Sequence, residues 1–256
     1  MINLIKKLFE FFNYRIINKK KADRFNLENT LAFLIRKIDT KKFIFFDVGA
    51  DVGTFSIFFE KILKKNNINN FEFHLFEPNQ ASYNELKNKF QKPNYLINNF
   101  ALGASIETKD FYNTKDSVMS SFIKFDKRFE EQYSSKETKV EKTKIITLDK
   151  YIQENNIKMI DFLKIDTQCY NEKVLKGGAN SLRDNIVKVV YSEIMLGKTY
   201  VESESFYNME IYLKDNYSLF GVDVGKQARN IQVVSKNFSK ELLLDLIYTC
   251  NKYFKF

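Results

Sequence analysis

The chain predicts an α/β fold, a mostly parallel sheet of about seven strands with helices on both faces. Three observations carry that prediction. Phe43-Ile-Phe-Phe46 is apolar at every position, as suits a parallel strand covered on both sides, and it runs straight into Asp47 and the glycines Gly49 and Gly53. Short apolar runs of the same kind recur between stretches of helical period, which is the pattern of repeated βα units. Most of these runs end in an acid, and a parallel sheet gathers the ends, Asp47, Glu77, Asp166 and Glu193, on one rim.

The elements follow in order. Ile2, Ile5, Leu8, Phe9, Phe12 and Ile16 fall near helical spacing with Lys6, Lys7 and Glu10 between them, so an amphipathic helix opens the chain. Lys19 to Lys21 add charge beside its apolar face, which leaves two uses for it, docking on the domain or peripheral contact with a membrane. With a second helix over Leu27 to Lys37, residues 1–40 form an N-terminal helical extension to one domain over 41–256. After the first strand, turn and helix, Phe71 to Phe76 reads as a strand ending in Glu77-Pro78. Ala81 to Phe90 reads as a helix, Tyr95 to Ile97 as a strand, and Asn98 to Gly103 as a loop.

Lys109 to Lys144 is a polar excursion long enough to act as a lid, with a short helix or hairpin inside it. Thr147 caps a helix through about Asn155. Ile160 to Asp166 and Val187 to Glu193 are further parallel strands, separated by a helix over Glu172 to Leu182. A helix over Phe206 to Lys214, strands near Tyr217 to Val222 and Ile231 to Val234, and a closing helix from Lys240 to about Tyr253 complete the expectation.

Composition narrows the classes. With 44% hydrophobic and 16% aromatic residues in 256, the chain has the means for a sizeable core. Two cysteines and one histidine, His74, supply neither a disulfide framework nor a usual zinc set, so no metal is expected and a reducing, cytoplasmic setting fits. The first residues, broken by Lys6 and Lys7, read as neither a signal peptide nor a membrane span. A formal charge of +9 favours acidic partners without choosing among them.

The glycine turn at the strand's carboxyl end is where open α/β sheets bind ligands. Its G-x-x-x-G spacing lacks the G-x-G-x-x-G of a dinucleotide cradle, and no Tyr-x-x-x-Lys pair is evident near the strand-end cleft, so a dehydrogenase reading is weak. An acid at the end of the second strand, here Glu77, can accept both ribose hydroxyls of a nucleoside cofactor. The turn glycines Gly49 and Gly53, Glu77, and Asn99 with the nearby Ala101 backbone, which can meet an adenine edge, are cofactor-binding candidates.

D-x-G-x-D-x-G at 47–53 resembles the first motif of methyltransferases that use S-adenosylmethionine (SAM). By that resemblance Asp47 and Asp51 join the cofactor-binding candidates, Asp47 near the amino-acid end of the cofactor, and Gly49 and Gly53 make room for it. DFLKIDTQ at 161–168 with VLKG at 174–177 resembles the FkbM family of SAM-dependent O-methyltransferases. So do FEP around Glu77, ALG at 101–103, Ser120-Ser121-Phe122, the TLD ending at Asp149 and the SEI containing Glu193, all in family order. The resemblance implies a Rossmann-like class I methyltransferase fold, SAM as cofactor, and methylation of a hydroxyl, often on a sugar. Where the family reads KID-x-[EQ]-G-x-E, this chain has Cys169 for the glycine and Asn171 for the glutamate, and Asn171 supplies a hydrogen bond without a charge.

An alcohol must lose its proton as it accepts a methyl group. With His74 placed inside a strand, the catalytic candidates are carboxylates, Asp166 first and Glu193 second. The expected function is O-methyl transfer to a sugar hydroxyl in a surface glycan or its precursor. Two alternatives stand beside it. Cys169 and Asn171 motivate a methyltransferase-like scaffold that has lost chemistry, against which the retained turn residues weigh. Nucleic-acid methylation fits the charge, but neither Pro78 nor Pro93 forms a [DNS]-P-P-[YFW] motif, and no aromatic and basic RNA platform is evident.

Overall fold

The computed structural model describes residues 27–115, 117–127, 137–196, 200–202, 205–224 and 242–254. The expected helix over Ile2 to Ile16 and the expected strand at Ile231 to Val234 lie outside the described residues. Among the described residues no helix is long and apolar enough to cross a membrane.

A seven-stranded sheet organises the molecule. Helix α1 (Leu27–Lys37) precedes β1 (Phe43–Val48), α2 (Thr54–Lys65), β2 (Phe71–Phe76), α3 (Gln80–Lys89) and β3 (Tyr95–Asn98). After a smaller sheet come α4 (Leu148–Glu154), β7 (Phe162–Ile165), α5 (Asn171–Gly177), α6 (Ala179–Arg183), β8 (Val189–Leu196), α7 (Phe206–Leu213), β9 (Tyr217–Val224) and β10 (Leu242–Cys250). The strand order is β3-β2-β1-β7-β8-β10-β9, with β10 antiparallel to both neighbours and the strands from β3 to β8 parallel. The order therefore reverses between β1 and β7, leaving a crevice beyond their carboxyl ends.

The strands read as they do because helices cover both faces. Phe45 stacks on Phe59 of α2 at 4.4 Å and meets Phe73 of β2 edge-on at 4.7 Å, while Phe46 on the other face packs near Tyr151 of α4. Leu31, Leu34 and Ile35 of α1 are fully buried with this Phe45 cluster. Thr147 caps α4 through Lys150 N, and Asp149 accepts from the backbone N–H groups of Asn180 and Ser181 in α6. The single helix expected over Glu172 to Leu182 is instead divided at Gly178, where a Cβ would lie 2.6 Å from the Leu148 side chain.

The closing helix expected from Lys240 to Tyr253 is a correction: Leu242–Cys250 is strand β10. A leucine-rich run suits a helix by propensity, but this one lies between β8 and β9, where both faces are covered. Leu246 through Cys250 are consecutively buried, which one helix face cannot achieve.

The excursion is a three-stranded sheet in the order β4-β6-β5, built from β4 (Ala101–Leu102), β5 (Glu107–Thr114) and β6 (Glu137–Ile146). The expected hairpin is present as β5 against β6, and a 3₁₀ turn at Ser117–Met119 follows β5. The expected loop over Asn98 to Gly103 contains β4, which pairs parallel with β6.

Candidate active site

The turn after β1 packs three left-handed residues into five, Gly49 (φ 78°), Asp51 (φ 45°) and Gly53 (φ 82°). Gly49 N and Ala50 N both donate to Phe76 O, which ties the turn to the end of β2. A Cβ on Gly49 would stand 1.9 Å from the Asp166 carbonyl oxygen, and one on Gly53 would stand 2.4 Å from the Phe90 ring. Sign of φ and packing thus both require glycine at these positions. The Gly49 backbone lines the cleft, whereas Gly53 serves the contact between α2 and α3.

Glu77 reaches into the same cleft from the end of β2 and is 6% exposed. Its Oε1 accepts from Asn79 N at 2.7 Å and its Oε2 from Asp51 N at 2.8 Å. Burial lifts its carboxyl to about 7 against the pull of those two backbone donors. Each oxygen keeps a further lone pair for a hydroxyl donor. Asp51 Oδ1 accepts from Ser82 and, at 2.7 Å, from Ser117 of the excursion. Asn99 does not line the cleft; its Nδ2 donates to the carbonyls of Glu77 and Pro78 and braces the strand end. Ala101 lies in the wall, beside Leu102.

Asp47 lies below the cleft, fully buried. Its Oδ2 accepts from Ser56 at 2.6 Å, and its Oδ1 faces Lys164 Nζ at 2.9 Å without the alignment of a hydrogen bond. Burial pushes the Asp47 carboxyl up, and the Lys164 ammonium and the Ser56 hydroxyl oppose it. The same ammonium donates to Gly49 O at 2.6 Å and lies 3.5 Å from Asp166 Oδ2, and these carboxylates hold it charged. Lysine inside an otherwise apolar strand was the sequence signal for this contact, and its role went unassigned there. Asp166 lines the cleft with its side chain 31% exposed. Glu193, one strand over, is pushed up to about 9 by burial and by the neighbouring Asp166 and Asp245 carboxylates.

Sequence reasoning also missed Gln168 and the apolar walls Phe76, Phe111 and Phe122. The excursion lends Ser117, Val118, Ser120 and Phe122 to the cleft, as a lid would. Asn171 is a buried staple: its Oδ1 accepts from Thr167 N and Oγ1, and its Nδ2 donates to Glu193 O.

The cleft is a concave, mostly apolar pocket at the strand ends, as small-molecule sites are. Among the described residues its lining holds three carboxylates, Asp51, Glu77 and Asp166, and no lysine or arginine. That charge fits a cationic nucleoside such as SAM and is unsuited to the pyrophosphate of a dinucleotide. A crevice at the reversal of strand order, an acid just beyond β2 and an antiparallel seventh strand together make this a Rossmann-like methyltransferase fold.

The model of the Methyltransferase FkbM domain matches residues 47–219, and the chain belongs to that family, whose methyl donor is SAM. Among solved structures, the FkbM methyltransferase from Methylobacillus flagellatus is similar at 11% identity and a TM-score of 0.47, over 80% of this chain and 43% of that one. The chain thus spans less than half of that relative's length. A SAM-dependent methyltransferase from Aquifex aeolicus is similar at 13% identity and a TM-score of 0.40, over 91% and 94% of the two chains. A search of curated proteins finds no match.

Proposed function

We propose that this methyltransferase acts on a hydroxyl oxygen, and that the acceptor is a sugar in a surface glycan or glycan precursor. The observation that carries the reading is Asp166, a half-open carboxylate in the cleft wall beside the Gly49 turn. Bound SAM supplies a methyl group already activated for displacement.

The chain's own residues supply position and a base. Glu77 is the group for the ribose hydroxyls, Asp51 and the Gly49 backbone flank the donor, and Phe76, Leu102 and Phe122 offer an apolar wall for a base. Asp47 is a positioning residue beneath them, acting through Lys164. Asp166 would take the acceptor's proton as the acceptor oxygen bonds to the methyl carbon and the methyl–sulfur bond breaks with its electron pair staying on sulfur. The O–H bond thus breaks, and the proton rests on a carboxylate open enough to lose it to water. Ser117 and Phe122 narrow the mouth and limit water.

The departure at Asn171 fits an active enzyme, because that side chain holds the β7 and β8 ends together. We place the reaction in the cytoplasm, a setting compatible with two buried cysteine thiols.

The test is transfer of labelled methyl from SAM to a panel of sugar precursors, with SAM titrated calorimetrically into wild type and Glu77→Ala. Micromolar binding lost in the variant, with label on oxygen, is the expected result. Folded wild type that binds no SAM at millimolar concentration would sink the reading, and label on nitrogen would refute its O-specific part.

A further inference from the structure

Gln168 is a polar side chain in the cleft wall that the chemistry above leaves unused. Its backbone stands at φ 51° and that of Cys169 at φ 65°, consecutive non-glycine residues in the left-handed region. Such strain persists only where the surroundings enforce it. They do so here: the Gln168 carbonyl accepts from Ser121 Oγ at 2.7 Å, and its Oε1 accepts from Tyr200 OH at 3.4 Å. The side chain is thereby aimed at two acids. Its Nε2 donates to Asp166 Oδ1 at 3.0 Å and reaches Glu193 Oε2 at 3.5 Å.

Those acids are neighbours by register. Ile165 pairs with Ser192, so the next residues along β7 and β8 stand side by side, and Asp245 of β10 pairs with Glu193 from the far side. The groups facing Glu193 are Asp166, Asp245, Tyr191 and Lys164, of which only the lysine favours a second charge. Carboxyls this close do not both ionise readily. Asp166 has the shorter amide bond and the nearby Lys164 ammonium, so it is the better stabilised anion.

We propose that Gln168 is a positioning residue: by bridging the two carboxyls it keeps their one shared proton on Glu193 and leaves Asp166 ionised toward the cleft. This rests on Asp166 being the base of the proposed reaction. It removes Glu193 from the role of alternative base and makes it the keeper of the proton.

Carboxyl-labelled protein followed by carbon NMR through a pH titration tests this without an acceptor. In wild type, a signal that vanishes in Glu193→Gln is expected to titrate near 9. In Gln168→Leu the Asp166 signal moves toward its protonated position and that of Glu193 toward its ionised one. Gln168→Glu, of nearly the same shape, raises proton uptake by the cluster. SAM titration and melting temperature verify that each variant is folded.

Glu193 ionised at pH 7 in wild type, or a proton distribution unmoved in both Gln168 variants, overturns the inference while leaving methyl transfer intact. A shared proton in a folded protein that binds no SAM overturns the reaction on which the role depends.

Discussion

The central strands carry a buried lysine–aspartate pair at each end. At the amino ends, Lys188 Nζ lies 2.7 Å from Asp161 Oδ1 and donates to Asp39 O, while Asp161 Oδ2 accepts from Ile44 N. At the carboxyl ends, Lys164 faces Asp47 at 2.9 Å and also reaches Gly49 O and Asp166 Oδ2. The ionic chemistry is the same and the connections differ. The first pair joins α1's exit, β1 and β8 and touches nothing that lines the cleft. The second grips the cofactor turn with one hydrogen and approaches the proposed base with another, so charge buried for stability also sets the geometry of a site.

Removing either lysine leaves a buried carboxylate alone, at a cost of about 3–5 kcal/mol. Lys188→Met and Lys164→Met are therefore expected to lower the denaturation midpoint by similar amounts, the largest effects foreseen. Affinity for S-adenosylhomocysteine separates them. It stays within about twofold in folded Lys188→Met and falls about tenfold in Lys164→Met, the scale of one charged hydrogen bond to the Gly49 turn. Equal affinities in the two variants would break the distinction between the ends.

Glu77 sharpens it through pH. Its folded-state carboxyl, near 7, stands above its ordinary value of 4.5, so the folded protein binds the extra proton between those limits. Stability from this group is accordingly full below about 4.5 and falls as pH rises to about 7. Ribose hydroxyls need the ionised form, so SAM affinity rises by up to about tenfold per pH unit approaching 7 and then levels. Calorimetry in buffers of different ionisation enthalpy should detect proton release on binding, absent in Glu77→Gln. A flat affinity from pH 5 to 8 would remove Glu77 from the donor site.

A smaller effect is expected at Asn171. Asn171→Glu keeps an acceptor for Thr167 but sets a carboxylate oxygen against the Glu193 carbonyl, where an N–H now donates. The cost is about 1–3 kcal/mol, read in the denaturation midpoint. A neutral or stabilised variant would mean that the staple at the cleft end of β7 and β8 does not depend on its amide.

The parallel half of the sheet was legible because its signals are local. Phe43 to Phe46, Phe71 to Phe76 and the acids that follow them need only period and position. Strand β10 was not, since an unbroken run of leucines reads alike as a helix or as a strand covered on both faces, and only its place between β8 and β9 decides. The site divided in the same way. That Glu77 and Asp166 line the cleft could be read from strand ends, and Asp51 from the glycine turn. The purposes of Gly53, Asp47, Asn99 and Lys164 depend on partners from other segments: Phe90 for the glycine, Lys164 for Asp47, the Glu77 carbonyl for Asn99 and Gly49 for the lysine.

Cys169 offers the finest discrimination between strain kept for the site and strain merely tolerated. It stands at φ 65°, where the family pattern has glycine, and its side chain is 7% exposed among Phe111, Phe122 and Tyr170. Cys169→Gly relieves the left-handed strain but gives up that packing and loosens the unfolded chain, so opposing terms of about 1 kcal/mol each nearly cancel. The midpoint should move by less than about 1 kcal/mol. The Gln168 main-chain carbonyl is held by Ser121 Oγ and its side-chain oxygen accepts from Tyr200 OH, contacts that do not involve the Cys169 side chain, and so the proton shared by Asp166 and Glu193 should stay where it is. If the glycine variant instead shifts that proton, the twist at Cys169 is itself part of what aims Gln168, and the strain belongs to the site.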